Sequence, residues 1–212
     1  MKMHHFAAAS CVLLGLAAGS AVQAQTKPAA PAAPAPQGSP PPQGPALPGV
    51  CVLSKEGAVY TSAVGKAMLG RLDQLSGQAD AEINGQKTSL QNDAKTLESQ
   101  RATLPADQYQ QRGQALQARL QDLQKTAQLR SAEMQLTQKK ALQTFGDYMD
   151  PVVRQVFAQR NCSVLLDGNA LVYPAPAMDI TPAVITGLNA KVQSFTFDRE
   201  HIDPNTGQPA AR

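Results

Sequence analysis

Ala102-Thr103-Leu104-Pro105-Ala106-Asp107 decides the fold, because it ends one long helical pattern and begins another. Upstream, Leu69, Ile83, Leu90, Leu97 and Leu104 fall at heptad spacing, with Ser76 the polar member of the series. Leu72, Leu75 and Ala79 widen this stripe. Downstream, Leu116, Leu120, Leu123, Ala127, Met134, Ala141, Phe145 and Tyr148 repeat in the same manner. Apolar residues at such intervals line one face of a helix. Proline at a first helical position, with an acidic residue two places later, restarts a helix and does not continue one. Two helices joined by a tight turn run antiparallel. The sequence therefore predicts a helical hairpin over about 63–148 with its tip near 104–107. Each arm would be about 60 Å long at 1.5 Å rise per residue.

The seam between the arms is diluted. Gln86, Asp93, Arg130 and Thr137 stand where a tight coiled coil wants apolar side chains. Gly77, Gly85 and Gly113 each cost a helix interior about 1 kcal/mol relative to alanine. Loosely zipped, mobile arms are expected.

Short elements flank the hairpin. Pro48-Gly49 opens a β run, Val50-Cys51-Val52-Leu53. After the hairpin, Asp150-Pro151 is read as the start of a third helical stretch carrying Val152, Val153, Val156 and Phe157. Cys162-Ser163-Val164-Leu165-Leu166 reads as a strand, Asp167-Gly168-Asn169 as a two-residue II′ turn, and Ala170-Leu171-Val172-Tyr173 as the returning strand. Thr181 is the expected N-cap of a last short helix, with Pro182 at its first position. Residues 191–212 read as a tail, in which Ser194–Phe197 could add an edge strand. The class is α+β and mostly helical: a long hairpin on a small β body spanning 150–190 together with strand 50–53. Three strands of this length and two short helices bury too little to stand alone, so the strands are expected to self-associate.

At the amino terminus, Lys2 precedes an apolar run from Phe6 to Ala21, and Val22-Gln23-Ala24 supplies small residues for a signal peptidase. This predicts a secretory signal peptide over 1–24, cleaved after Ala24. Cys11 sits too early in that run to read as a lipid-anchor site. Residues 25–49 hold nine prolines among Ala, Gln and Gly, the composition of a disordered linker with polyproline character.

Composition argues against several kinds of chemistry. The chain has 19 Lys and Arg against 16 Asp and Glu, and cleavage removes Lys2. The mild remaining charge of +2 and the absence of Trp do not suggest nucleic-acid binding. His201 is the histidine left after cleavage and lies in the predicted tail, so histidine-based catalysis is not expected. No CxxC pair, metal-ligand cluster or phosphate-cradling loop is read, and neither an enzyme nor a cofactor is predicted. Asp167 and Asn169 are explained as turn residues. Cys51 and Cys162 survive cleavage into an oxidising compartment. They could pair, or they could be two small buried residues of separate strands.

The string Val164-Leu165-Leu166-Asp167-Gly168-Asn169-Ala170-Leu171-Val172-Tyr173, followed by Asp179-Ile180-Thr181 and a short helix, resembles the OmpH/Skp family of periplasmic chaperones. Val50–Leu53 looks like that family's first strand, and Val64-Gly65-Lys66-Ala67 like the opening of its first long helix. The resemblance spans Val50 to about Ala190. It implies a homotrimer with a β-barrel core and three hairpin tentacles, which holds unfolded outer-membrane proteins in the periplasm without ATP. The chain departs from the strongly basic character of many members. Its positive charge gathers on the second arm, where Gln108–Phe145 carries a net +4. Arg112, Arg119, Arg130, Lys139 and Lys140 are therefore the expected client-binding residues, and that arm could also touch an anionic membrane surface. The competing reading is a structural or adaptor coiled coil of the cell envelope.

Overall fold

In the computed structural model residues 44–210 are described. The expected signal peptide and residues 25–43 of the linker lie outside them. The elements are β1 (Val50–Leu53), α1 (Lys55–Thr61), α2 (Ala63–Ser99), α3 (Ala106–Gln159), β2 (Val164–Asp167) and α4 (Thr181–Lys191). Helices α2 and α3 are the two arms of the hairpin. Residues 100–105 turn between them, Pro105 is the N-cap of α3, and Asp107 lies in its first turn.

Two serines shape the entry to the first arm. Ser54 Oγ accepts from Gly57 N at 2.9 Å and caps α1, and Ser62 Oγ accepts from Gly65 N at 3.1 Å and caps α2. Only Ser62 separates the two helices, so the chain bends sharply there. Gly65 permits the bend, since a Cβ at this position would overlap the Val59 carbonyl.

β1 and β2 pair in parallel, from Val50 opposite Val164 to Leu53 opposite Asp167. The whole hairpin is thus the crossover that parallel strands require. This corrects the expected β-hairpin. Among the described residues the sheet has two strands, and Ala170–Tyr173 does not return as a strand. Asp167 Oδ1 accepts from Asn169 N at 2.9 Å, and Leu171 N donates to Gly168 O at 3.2 Å. These local bonds wind Gly168–Ala170 into a 3-10 turn and divert the chain from a reversal.

A second correction concerns Pro151, which lies inside α3 and not at the start of a new helix. Phe145, Met149, Val152 and Val156 form one continuous buried stripe across it. Burying that stripe against α4 outweighs the one backbone hydrogen bond proline removes. The true end comes at Asn161, whose φ of 52° is left-handed. Cys162 N donates to Phe157 O and Asn161 N to Ala158 O, the bond pair of a Schellman ending.

Helix α4 is capped differently from expectation. Thr181 N donates to Asp179 Oδ1 at 2.8 Å, while Thr181 Oγ1 accepts from Ser54 N at 2.9 Å. Asp179 thus does the capping, Ile180 takes the cap position, and Thr181 ties the helix start to the end of β1. Val184 and Leu188 bury against α3, and a Cβ at Gly187 would meet Val152 Cγ1 at 2.6 Å. The body core joins these residues to Leu53, Val64 and Met68. Cys51 and Cys162 are disulfide-bonded, with Cα atoms 5.7 Å apart. The bond fastens β1 to the loop that follows α3.

Candidate functional site: the hairpin and its strap

The arms are unequal. α2 has 37 residues and α3 has 54, so α3 runs past the root of the hairpin into the body. Between them lies an open groove of about 600 Å³. Leu69, Leu72, Ile83 and Met134 give it apolar walls, and Asp80 and Arg130 bring charge to its edge. Nearer the tip, Leu97, Leu116, Arg112 and Arg119 line a smaller cleft of about 260 Å³.

The predicted tail is in part a strap. Beyond α4 the chain runs back along the hairpin and bonds to both arms. On α2, Arg71 Nη2 pairs with Asp198 at 2.9 Å, and Arg71 Nε donates to Phe197 O at 3.1 Å. On α3, Lys140 Nζ pairs with Glu200 at 2.8 Å, and Glu200 N donates to Thr137 Oγ1 at 2.8 Å. Phe195 stacks at 5.7 Å from Tyr148 and 5.3 Å from Phe197. The remainder, around Asp203–Gly207, is loop as the sequence indicated, closed by Gly207 N donating to Asp203 O.

Where strap and arms meet, four charged groups and a histidine converge. Glu133 has a side chain only 2% exposed. Its Oε2 accepts from Arg130 Nη1 at 2.9 Å and lies 3.4 Å from Arg199 Nε. Its Oε1 accepts from Ile202 N at 3.2 Å, with His201 Nδ1 at 3.5 Å. Arg130 also reaches across the seam to clamp both oxygens of Glu82, at 2.8 and 2.9 Å. This fork geometry is the strong form of an ion pair. The Arg130 hydrogen bonds hold the Glu82 carboxyl below its ordinary range, against the opposing effect of burial. The same bonds push the Arg130 guanidinium further up. Arg199 Nε, though close to Glu133, makes no hydrogen bond among the described residues.

The diluted seam is therefore largely a bonded one. Asp93 pairs with Arg119, Arg130 joins the two arms, and Thr137 Oγ1 donates to the Glu133 carbonyl while receiving the strap; Gln86 alone of the four is exposed. Of the residues expected to bind clients, Arg130 is committed inside the chain and is a structural cation. Arg112 donates to Gln100, Arg119 pairs with Asp93, Lys140 pairs with Glu200, and all three stay substantially exposed. Lys139 is exposed and carries no ion pair among the described residues. They do not converge on one spot but are strung along α3. Glu82, Glu133, Arg199 and Glu200 were missed. A signal for Glu133 existed, since Arg130, Glu133 and Thr137 recur on one helical face at three- and four-residue steps.

Among the described residues no helix is long and apolar enough to cross a membrane, and no group of three or more His, Cys, Asp or Glu is placed to hold a metal ion. Val164 and Leu166 on β2, and Val172 and Tyr173 in the loop after it, are exposed apolar residues, with Val172 81% exposed.

A search of curated proteins finds no match. A crystal structure from Caulobacter crescentus CB15, of an OmpH-like protein offered as a candidate outer membrane chaperone, is 42% identical. It superposes with a TM-score of 0.73 over 76% of this chain and 96% of that one. Residues 49–188 match the family described as outer membrane protein (OmpH-like), which takes in both strands, both arms and most of α4. The chain belongs to the OmpH-like family.

Proposed function

We propose that this protein is an ATP-independent holdase of the periplasm, which binds unfolded outer-membrane proteins and keeps them soluble for assembly. The observation that carries the reading is a long two-armed hairpin with an open, mixed apolar and charged groove, mounted on a small body, in a chain of the OmpH-like family. No shaped pocket is needed for such work. Scattered Leu and Met side chains offer apolar contact to many sequences. Arg112, Arg119, Lys139 and Lys140 draw acidic segments over the 8–10 Å or so that physiological salt allows. The protein works without cofactor and without catalysis.

The working form is a homotrimer. A two-stranded sheet that exposes Val164 and Leu166, followed by a loop that exposes Val172 and Tyr173, is too small and too exposed to be the finished body. Copies joined along β2 would cover that surface and the open strand edge. Sedimentation of the mature chain tests both parts. The expected result is a species of three chains that takes up a urea-unfolded β-barrel protein into one soluble complex without nucleotide. A folded monomer that leaves the unfolded protein to precipitate would overturn the proposal. The ion pairs that stitch the arms, Arg130 to Glu82 and Arg119 to Asp93, favour the second reading, a stiff envelope spacer. A spacer would form the oligomer but not the complex.

A further inference from the structure

The strap has the pattern of an extended strand. From Phe195 to Arg199 its burial alternates, with Phe195, Phe197 and Arg199 half-buried and Thr196 and Asp198 exposed. Residues 192–201 take part in neither helix nor sheet. Period-two alternation is what an extended chain shows when one face is covered. Strands of outer-membrane barrels carry the same alternation, with an apolar outward face and aromatic girdles.

The hairpin holds the strap partly by its side chains, through Arg199 on Glu82 and Glu133 and the buried Glu200 on Lys140, and partly by its main chain. Three contacts go to the strap's main chain: Arg71 Nε to Phe197 O, Glu200 N to Thr137 Oγ1, and Ile202 N to Glu133 Oε1. Phe195 lies against Tyr148, itself 41% exposed, with Phe197 beside it, and both rings are only half-buried against the core. A cleft of about 230 Å³ remains beside them, walled by Thr137, Ala141 and Thr144. The flanking ion pairs, Arg71 to Asp198 and Lys140 to Glu200, each have one member about half exposed or more. Main-chain capture with loose seats for alternate side chains is a general mode of peptide recognition.

We propose that this face of the hairpin, built by Arg71, Thr137, Lys140, Thr144 and Tyr148, is a binding site for extended client segments with aromatic residues at alternate positions. The strap is its resident occupant and gives way to the client. The inference rests on the chaperone reading and names the feature of the client that is recognised. A tethered strap competes at high effective concentration, so one free segment binds weakly. An unfolded barrel protein presents many such segments on one chain and can displace it.

The test uses the unmodified mature chain and a twelve-residue peptide with Phe or Tyr at alternate positions. The control peptide has the same composition with its aromatics in one block. Hydrogen exchange is followed at the Glu200 and Ile202 amides, the two strap N–H groups bonded to α3. The alternating peptide should speed their exchange about tenfold at saturation, and the block peptide should not. The full-length variant Phe195→Ser/Phe197→Ser should bind the labelled alternating peptide about tenfold more tightly, because its own strap competes less. Circular dichroism and unchanged amide protection across 145–156 would show that this variant is folded. If the peptide binds while both amides stay protected, or binds neither protein, the strap is a brace and the inference fails. In that case suppression of aggregation by the full chain would leave the chaperone reading standing. Displacement of the strap without such suppression would uphold the site and sink the chaperone reading instead.

Discussion

A carboxylate as deeply buried as Glu133 is tolerated only if cations and N–H groups replace its lost water. Arg130, Arg199 and the Ile202 amide do so here. Glu133→Ala should therefore cost about 3 kcal/mol in urea unfolding, since it leaves two guanidiniums short of a partner. A change within a few tenths of a kcal/mol would mean that the cluster holds nothing together. Glu82 gives a pH signature. Its folded pKa is lowered, so its contribution is complete above the ordinary carboxylate value of about 4.3 and is lost as pH falls below that through the lowered folded value. Acid unfolding of Glu82→Gln should accordingly be shallower than that of the parent over this window. Little of the cluster was legible beforehand. Arg130 and Thr137 were recognised as misfits in an apolar seam, but their partners lie 48 and 63 residues away, and periodicity carries no information about them.

At the scale of elements, the hairpin was readable because heptad spacing and the proline break are local signals. Its tip was placed a few residues late. Pro151 was misread for the complementary reason. Locally it is a helix start, and only the packing of Val152 and Val156 on α4 reveals that the helix continues. Asp167-Gly168-Asn169 was likewise ambiguous, since the same residues suit a reversal or a 3-10 turn, and pairing with the distant β1 decides. The Cys51–Cys162 bond was left open by the sequence, as strand membership does not fix proximity. It spans 111 residues, so the chain-entropy estimate gives it about 4–5 kcal/mol. Two results are expected. Thiol counting in denaturant should find no free thiol, and Cys51→Ser/Cys162→Ser should lower the unfolding free energy by an amount of that order. Two free thiols in the native preparation would contradict the first, and an unchanged midpoint the second.

For the whole molecule, the strap changes the picture drawn from sequence. The root half of the hairpin is sewn to the strap by Arg71, Glu82, Glu133, Thr137 and Lys140, whereas the arms beyond carry Gly85 and Gly113 and are joined by exposed bonds, Arg119 to Asp93, Arg112 to Gln100 and Tyr109 to Glu98. Motion should thus be graded, with amide exchange fastest around the tip and slowest across 145–156. Uniform exchange along both arms would contradict this. Exposed positive charge on α3 should speed capture of acidic clients. Reversing Arg112 and Lys139 to Glu should weaken binding and reduce its salt dependence, with the oligomer intact because both residues lie far from β2 in the chain. The most direct measurement of the central claim is light scattering after a urea-unfolded β-barrel protein is diluted into buffer, with and without this protein at three chains per client and no nucleotide. Scattering should stay near baseline when it is present and rise when it is absent. An equal rise in both would contradict the holdase account.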